Sequence, residues 1–266
     1  MNAKKIRLIV EKEFDEIMKN KLVLGSIVLM PLLFALVIPF AMLAPAVLSP
    51  NELSGNDTKQ LVGNLPGAEN MTGPEAYIVF MVSAILPFFM MLPAILPTVI
   101  SSYSIVGEKK NRTLEPLLAA PIAVEDIMAG KAIAALIPAL AATWLAAAIF
   151  SVVVFLLTNS IVHRILVPDA TWLLGLFVLG PLVAFLAVMF TVVISSRVTD
   201  PRTAQQISVV FVLPIMALFM AQMFGLMLVN ETIILGVCAV VFVADVAIVK
   251  IGSELFEREK ILTRWK

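Results

Sequence analysis

Cysteine and histidine are all but missing from this 266-residue chain, which has one of each, Cys238 and His163. That excludes an internal disulfide and a metal cluster of His and Cys, because either needs several such side chains. Cys238 lies inside an apolar run and reads as a small residue facing lipid or core. Charge is scarce too. Charged residues make up 14% of the chain and the formal net charge is zero, so no basic excess argues for nucleic-acid binding. Also absent are the G-x-x-x-x-G-K-[ST] loop that grips nucleotide phosphates, the H-E-x-x-H zinc pair and the G-x-S-x-G elbow. The chain is expected to hold no catalytic residue, no cofactor and no metal.

What is abundant is apolar side chain, 61% of the sequence against about 45–50% in a soluble domain. A helix needs roughly 20 apolar residues to cross the hydrocarbon core. Six runs qualify, at 22–48, 77–106, 132–158, 172–194, 207–229 and 232–249, the last two joined only through Asn230 and Glu231. The expected fold is therefore an all-α membrane protein of six transmembrane helices forming one domain, residues 1–266. Glu11, Glu13, Asp15 and Glu16 ahead of the first run, and that run's length, argue against a cleaved signal peptide, so the run is expected to be a retained span.

Six spans put both termini on one side, and basic residues choose which. Of the 19 Lys and Arg, only Lys59 and Arg164 fall on the opposite side, so both termini are expected in the cytoplasm of a multi-pass plasma-membrane protein. The connection at 49–75, rich in Gly, Pro and Asn, is then an external loop. The sequons at Asn56, Asn70 and Asn230 fall outside and the one at Asn111 inside, which is weak support.

Two polar segments stand out. Residues 1–21 form an expected interfacial amphipathic helix, with Ile6, Ile9, Val10, Phe14, Ile17 and Met18 recurring at helical spacing. It is either an elbow that contacts a partner or a passive anchor. The second segment, 107–131, joins spans 2 and 3. Thr113 can cap a short helix, Glu115 complements its dipole, and Pro116 is tolerated in a first turn. Leu114, Leu117 and Leu118 then share one face before Pro121 ends the turn. This reads as a docking helix for a partner in the cytoplasm, or else as an ordinary polar loop. Residues 250–266 form a charged tail on the same side.

Within the spans, Pro31, Pro39, Pro45, Pro87, Pro93, Pro97, Pro138, Pro181 and Pro214 mark hinges or static kinks. Asp245 is the one acidic residue well inside a span. It forms an interfacial pair with Lys250 or carries protons. Gln222, Thr143, Ser83 and Tyr103 are candidate polar contacts. Ion-driven carriers usually need more buried charge than this.

The run from Glu108 through Arg112, Thr113, Leu114, Glu115, Pro116, Leu117 and Leu118, then Pro121-Ile122 and Gly130-Lys131, resembles permeases of the type-2 exporter class of ATP-binding-cassette (ABC) transporters. The tail from Phe256 to Leu262, the amphipathic start, the six spans and the external insertion match as well. The chain departs from the pattern at Asn111-Arg112, where many members carry glycine. The resemblance implies a permease without its own ATPase activity, working as a homodimer or pseudo-dimer with a separate ABC ATPase subunit. It implies a coupling helix bearing Glu108, Arg112, Thr113, Leu114, Glu115, Leu117 and Leu118, a connecting helix at the N-terminus, and export of a drug, lipid, polysaccharide or sodium. The alternatives are a carrier driven by an ion gradient, or a membrane subunit for assembly or immunity that transports nothing.

Overall fold

The computed structural model describes residues 2–54, 71–110, 122–163, 165–195, 198, 200–224 and 226–255. Among them every regular element is helical. Asn2 opens an N-terminal helix, Ala3–Lys19, by accepting a hydrogen bond from the Lys4 amide at 3.1 Å. Asn20 closes that helix and opens the next, its side chain accepting from the Leu22 and Val23 amides. One residue thus serves both ends of an elbow.

Five segments are long and apolar enough to cross a membrane: Lys21–Leu48, Gly73–Glu108, Asp126–Thr158, Ala170–Ser195 and Glu231–Lys250. A sixth is the pair Pro201–Ser208 and Val212–Met223, bent by 40°. Its bounds differ from the expected 207–229, and the bend lies close to Pro214, which the sequence marks as a hinge or kink. Pro214 has no N–H to offer the Val210 carbonyl, and the chain passes through a tight 3-10 turn at Val209–Phe211. The helix then stops at Met223, and a longer irregular link leads to Glu231.

Two other prolines leave a similar mark. The first span contains a π-helical turn at Leu33–Val37, just before Pro39, and the fourth contains one at Gly175–Leu179, just before Pro181. Each proline leaves the carbonyl four residues back without its usual donor, and the widened turn accommodates the gap. Span 2 has a break at Met90, between Pro87 and Pro93.

In lipid, apolar side chains gain little by leaving the solvent, so spans associate through close packing. Aromatic rings supply much of that contact. Phe34 of span 1 stacks on Phe88 of span 2 with centroids 4.9 Å apart. Phe89 meets Phe150 of span 3 at 5.3 Å and Trp172 of span 4 at 5.5 Å, while Phe150 stacks on Trp172 at 5.1 Å. Phe88 continues the chain of rings to Phe219 of span 5. Small residues do the rest: Ala132, Ala135, Ala139, Ala146 and Ala147 are buried along span 3 and let neighbouring backbones approach. Span 2 is the most enclosed.

Phe89 touches three other rings and is fully buried. Phe89→Ala is expected to destabilise the purified protein by about 3 kcal/mol or more, seen as a lower thermal midpoint in detergent. Phe155→Ala, at a position 43% exposed to the bundle's surroundings, should leave the midpoint nearly unchanged.

Candidate functional site

The N-terminal helix buries Ile9, Glu13 and Ile17, three residues at successive four-residue steps. Two are apolar, as the sequence pattern anticipates. Met18, assigned to the same face, is instead 63% exposed. The face packs against the start of span 3, where Gly130 permits the contact. A Cβ there would sit 2.7 Å from Ile9 Cγ2 and 2.9 Å from Ile9 Cβ. The Asn2 amide also donates to Asp126 Oδ1 at 3.1 Å, tying the first residue of the helix to the first turn of span 3.

Glu13, in the middle of the buried face, is 2% exposed. Its counter-charge comes from Lys131 of span 3, whose Nζ lies 2.6 Å from Glu13 Oε1. The same ammonium lies 2.8 Å from Oε2 of Glu108, the last part of span 2, a close charge contact at an angle poor for hydrogen bonding. Lys131 also donates to Ser104 Oγ at 2.9 Å, and the Ser104 hydroxyl in turn donates to Glu13 Oε2 at 2.5 Å. Lys12, at the rim, reaches Glu13 at 3.1 Å, Glu16 at 2.9 Å and Glu108. Three separate elements therefore meet in one buried charge cluster.

The electrostatics follow from that geometry. Burial alone would raise the Glu13 pKa. The charge of Lys131, hydrogen bonds from Lys131 and Ser104, and the charge of Lys12 outweigh it and hold the carboxyl below its ordinary range. Burial alone would lower Lys12. Hydrogen bonds to Glu108 and Glu16 and the charges of Glu13 and Glu108 prevail, and it rises above the usual lysine value. Oxygens of Glu13, Glu16 and Glu108 converge within 4.8 Å, a spacing that suits a cation. The Lys12 and Lys131 ammoniums already stand among them, so the cluster supplies its own cations.

Beside the cluster lies a cavity of 650 Å³ under the Asn20 elbow, lined by Lys19, Lys21, Tyr103, Gly107 and the cluster's acids.

Of the coupling residues named from the sequence, Glu108 is placed, at 5% exposure. Arg112, Thr113, Leu114, Glu115, Leu117 and Leu118 lie outside the described residues, as do the tail at 256–266 and most of the connection at 49–75. Gln222 and Asp245 are both buried, and neither finds a hydrogen-bond partner, Lys250 included. The Ser83 and Thr143 hydroxyls donate to carbonyls of their own helices, Val79 and Ala139, rather than across to a neighbour. The sequence reading missed Glu13, Lys12, Ser104 and Lys131 as one unit. A signal existed: Glu13 interrupts the apolar stripe midway between Ile9 and Ile17.

The fold and composition define a multi-pass helical membrane protein. Residues 7–246 match the family described as ABC-2 family transporter protein, and the chain belongs to that family. It is a permease subunit of an ABC transporter. No curated protein and no solved structure matches the chain.

Removing Lys131 leaves two buried carboxylates sharing the half-exposed Lys12 at the rim as their counter-charge. Lys131→Met should cost about 3–5 kcal/mol in thermal or denaturant unfolding. Breaking the exposed Arg7–Glu11 pair with Arg7→Ala should cost no more than about 0.5 kcal/mol. For pH, Glu13 is depressed, so its contribution is complete above the ordinary carboxylate range and is lost as pH falls through its folded value. Lys12 is raised, so its contribution holds at all lower pH and fades only in strong alkali. Acidification below about pH 4 should therefore speed hydrogen exchange in the N-terminal helix before exchange in the spans.

Proposed function

We propose that this chain is the membrane half of an exporter, taking its energy from a separate ATPase subunit that docks on the segment at 107–131. The segment Asn2–Asn20 serves as the connecting helix and that from Glu108 to Ile122 as the coupling helix, with Leu114, Leu117 and Leu118 as apolar knobs and Glu108, Arg112, Thr113 and Glu115 as polar contacts. Both termini face the cytoplasm of the plasma membrane, and two copies, or this chain and a close relative, form the working pair. One observation carries the reading. Glu108, the last side chain described before 111–121, is clamped by Lys131 and Lys12 to span 3 and the N-terminal helix. A push on the coupling segment would then move three elements together instead of bending one loop.

Family membership supports the ATPase partner. The one-sided distribution of Lys and Arg supports the orientation. The lack of a phosphate-gripping loop supports an ATPase on another chain. Closure of the ATPase pair on ATP would press the coupling helices, rock the bundles apart and release cargo outward.

Co-purification from native membranes should recover a soluble chain bearing a Walker P-loop. Leu117→Asp should leave the permease inserted and folded while reducing that association on the order of a hundredfold, given about 2–4 kcal/mol for a buried docking knob. Recovery of the ATPase at wild-type levels by Leu117→Asp would refute the docking assignment. Transport that persists without ATP and collapses with an ion gradient would favour a secondary carrier instead.

A further inference from the structure

The cavity of 650 Å³ under the Asn20 elbow lies where spans 1 and 2 end, at Lys21 and Glu108. That is the depth of lipid headgroups, because the hydrocarbon core begins where the apolar runs begin. The lining is divided accordingly. Ile17, Leu22, Val23 and Ile100 supply an apolar wall, while Glu16, Lys19, Lys21 and the buried acids of the cluster supply charge. Leu22 is 63% exposed, so the apolar wall runs on to the outer surface of span 1, where lipid lies. A second cavity, of 720 Å³ between spans 2, 4, 5 and 6, is lined by apolar residues alone and selects no charge.

The charges around the elbow cavity do not balance. Glu13, Glu16 and Glu108 share the two ammoniums of Lys12 and Lys131, which leaves the cluster one negative charge in excess. Glu16 is the accessible acid of the three, its side chain 49% exposed. Lys19 and Lys21 are exposed as well, and neither makes an ion pair among the described residues. One cavity thus carries an unneutralised negative charge and two unneutralised positive ones beside an apolar wall. A ligand that answers all of this has an anion, a cation and an apolar body.

We propose that this cavity binds a phospholipid with a primary amine in its headgroup, of the phosphatidylethanolamine kind, from the leaflet that borders the N-terminal helix. The phosphate takes the Lys19 and Lys21 ammoniums, the amine takes the Glu16 carboxylate, and the acyl chains leave along Val23 and Leu22. Each charge selects. Phosphatidylglycerol brings a phosphate but nothing for the acids, which repel it. Phosphatidylcholine brings both charges, but its ammonium has no N–H to donate, and a charge-assisted hydrogen bond is the stronger contact. The bound lipid would bridge the N-terminal helix, span 1 and span 2 at the elbow. The inference goes beyond the permease reading and does not depend on it, because binding requires neither ATP nor an ATPase.

The test uses the purified full chain, stripped of lipid in micelles of an uncharged detergent, and titrates it with dioleoyl lipids under native mass spectrometry. Phosphatidylethanolamine should bind more tightly than phosphatidylcholine or phosphatidylglycerol, on the order of tenfold. Lys19→Gln together with Lys21→Gln should weaken that binding by a similar factor. Glu16→Gln should erase the preference over phosphatidylcholine. Gly107 lines the cavity, and a Cβ there meets nothing within 4 Å, so Gly107→Leu should fill the space and abolish the site. Glycerophosphoethanolamine, the same headgroup without acyl chains, should fail to compete at equal concentration. Equal retention of the three lipids overturns the proposal. So does tighter binding of phosphatidylglycerol, which would mark a simple basic patch, and so does competition by glycerophosphoethanolamine on a par with the lipid, which would mark a soluble ligand. Undiminished binding in the lysine double variant or in Gly107→Leu, or a preference that survives Glu16→Gln, overturns it as well. Should a variant fail to fold, the comparison of the three lipids on the unaltered chain still decides.

Discussion

A lysine cannot be buried alone in an apolar bundle, and the placement of Lys131 organises one whole end of this molecule. Its ammonium is satisfied by a carboxylate from the N-terminal helix, a carboxylate from span 2 and a hydroxyl from span 2. None of these partners is close in sequence. Neutralising one charge therefore fixes the relative position of three elements. Breaking such a buried pair costs several times what an exposed pair on the same helix contributes, so the Arg7–Glu11 pair, although well formed, decides nothing comparable. The Gly130–Ile9 approach and the Asn2–Asp126 hydrogen bond point the same way: the N-terminal helix is seated on span 3 by packing, by a cap and by charge.

Away from that end, specificity has to come from shape, because lipid tails are as apolar as leucine. The ring contacts from Phe34 through Phe88 and Phe89 to Phe150, Trp172 and Phe219 cross five spans. Alanines on span 3 let it sit close to its neighbours. The prolines fall at or next to the irregular turns, at Leu33–Val37, Met90, Gly175–Leu179 and Val209–Phe211. Pro45, Pro97 and Pro138 are exceptions: the helices Ile38–Leu48, Met91–Lys110 and Val124–Thr158 run on through them.

Hydropathy alone made most of the fold legible, because crossing a bilayer demands a long apolar helix and little else produces one. The N-terminal helix was legible from its spacing, although the pattern placed Met18 on the wrong face. The bend of span 5 was legible at Pro214, but its bounds were not, because a hydropathy window does not register the polar first turns at Pro201–Ser208 as part of the same span. The charge cluster was half legible. Glu13 breaks an apolar stripe in plain view, but its partners come from residues about a hundred positions away, and no local pattern announces which acid meets which lysine. The same limit hid the setting of Gln222 and Asp245. Their burial depends on which faces of spans 5 and 6 turn inward, and only the packed bundle decides that.

Span 2 connects the two sites. It carries Glu108 at one end and Leu86, Pro87 and Met90 in the wall of the apolar cavity. These points are about 27 Å apart along a helix rising 1.5 Å per residue. Among the described residues its helix is interrupted only at Met90, which is itself a wall residue. From Met91 to Lys110 it is continuous. Lysine clamps hold its charged end, so on the proposed reading a displacement at the coupling segment cannot dissipate in a loop. It passes up a helix that is continuous from Lys110 to Met91, through Pro97, and reaches the break at Met90 in the wall of the apolar cavity. The alternative, force carried through span 3, is weaker on the same grounds. Span 3 shares the clamp through Lys131, but it contributes no residue to the cavity wall.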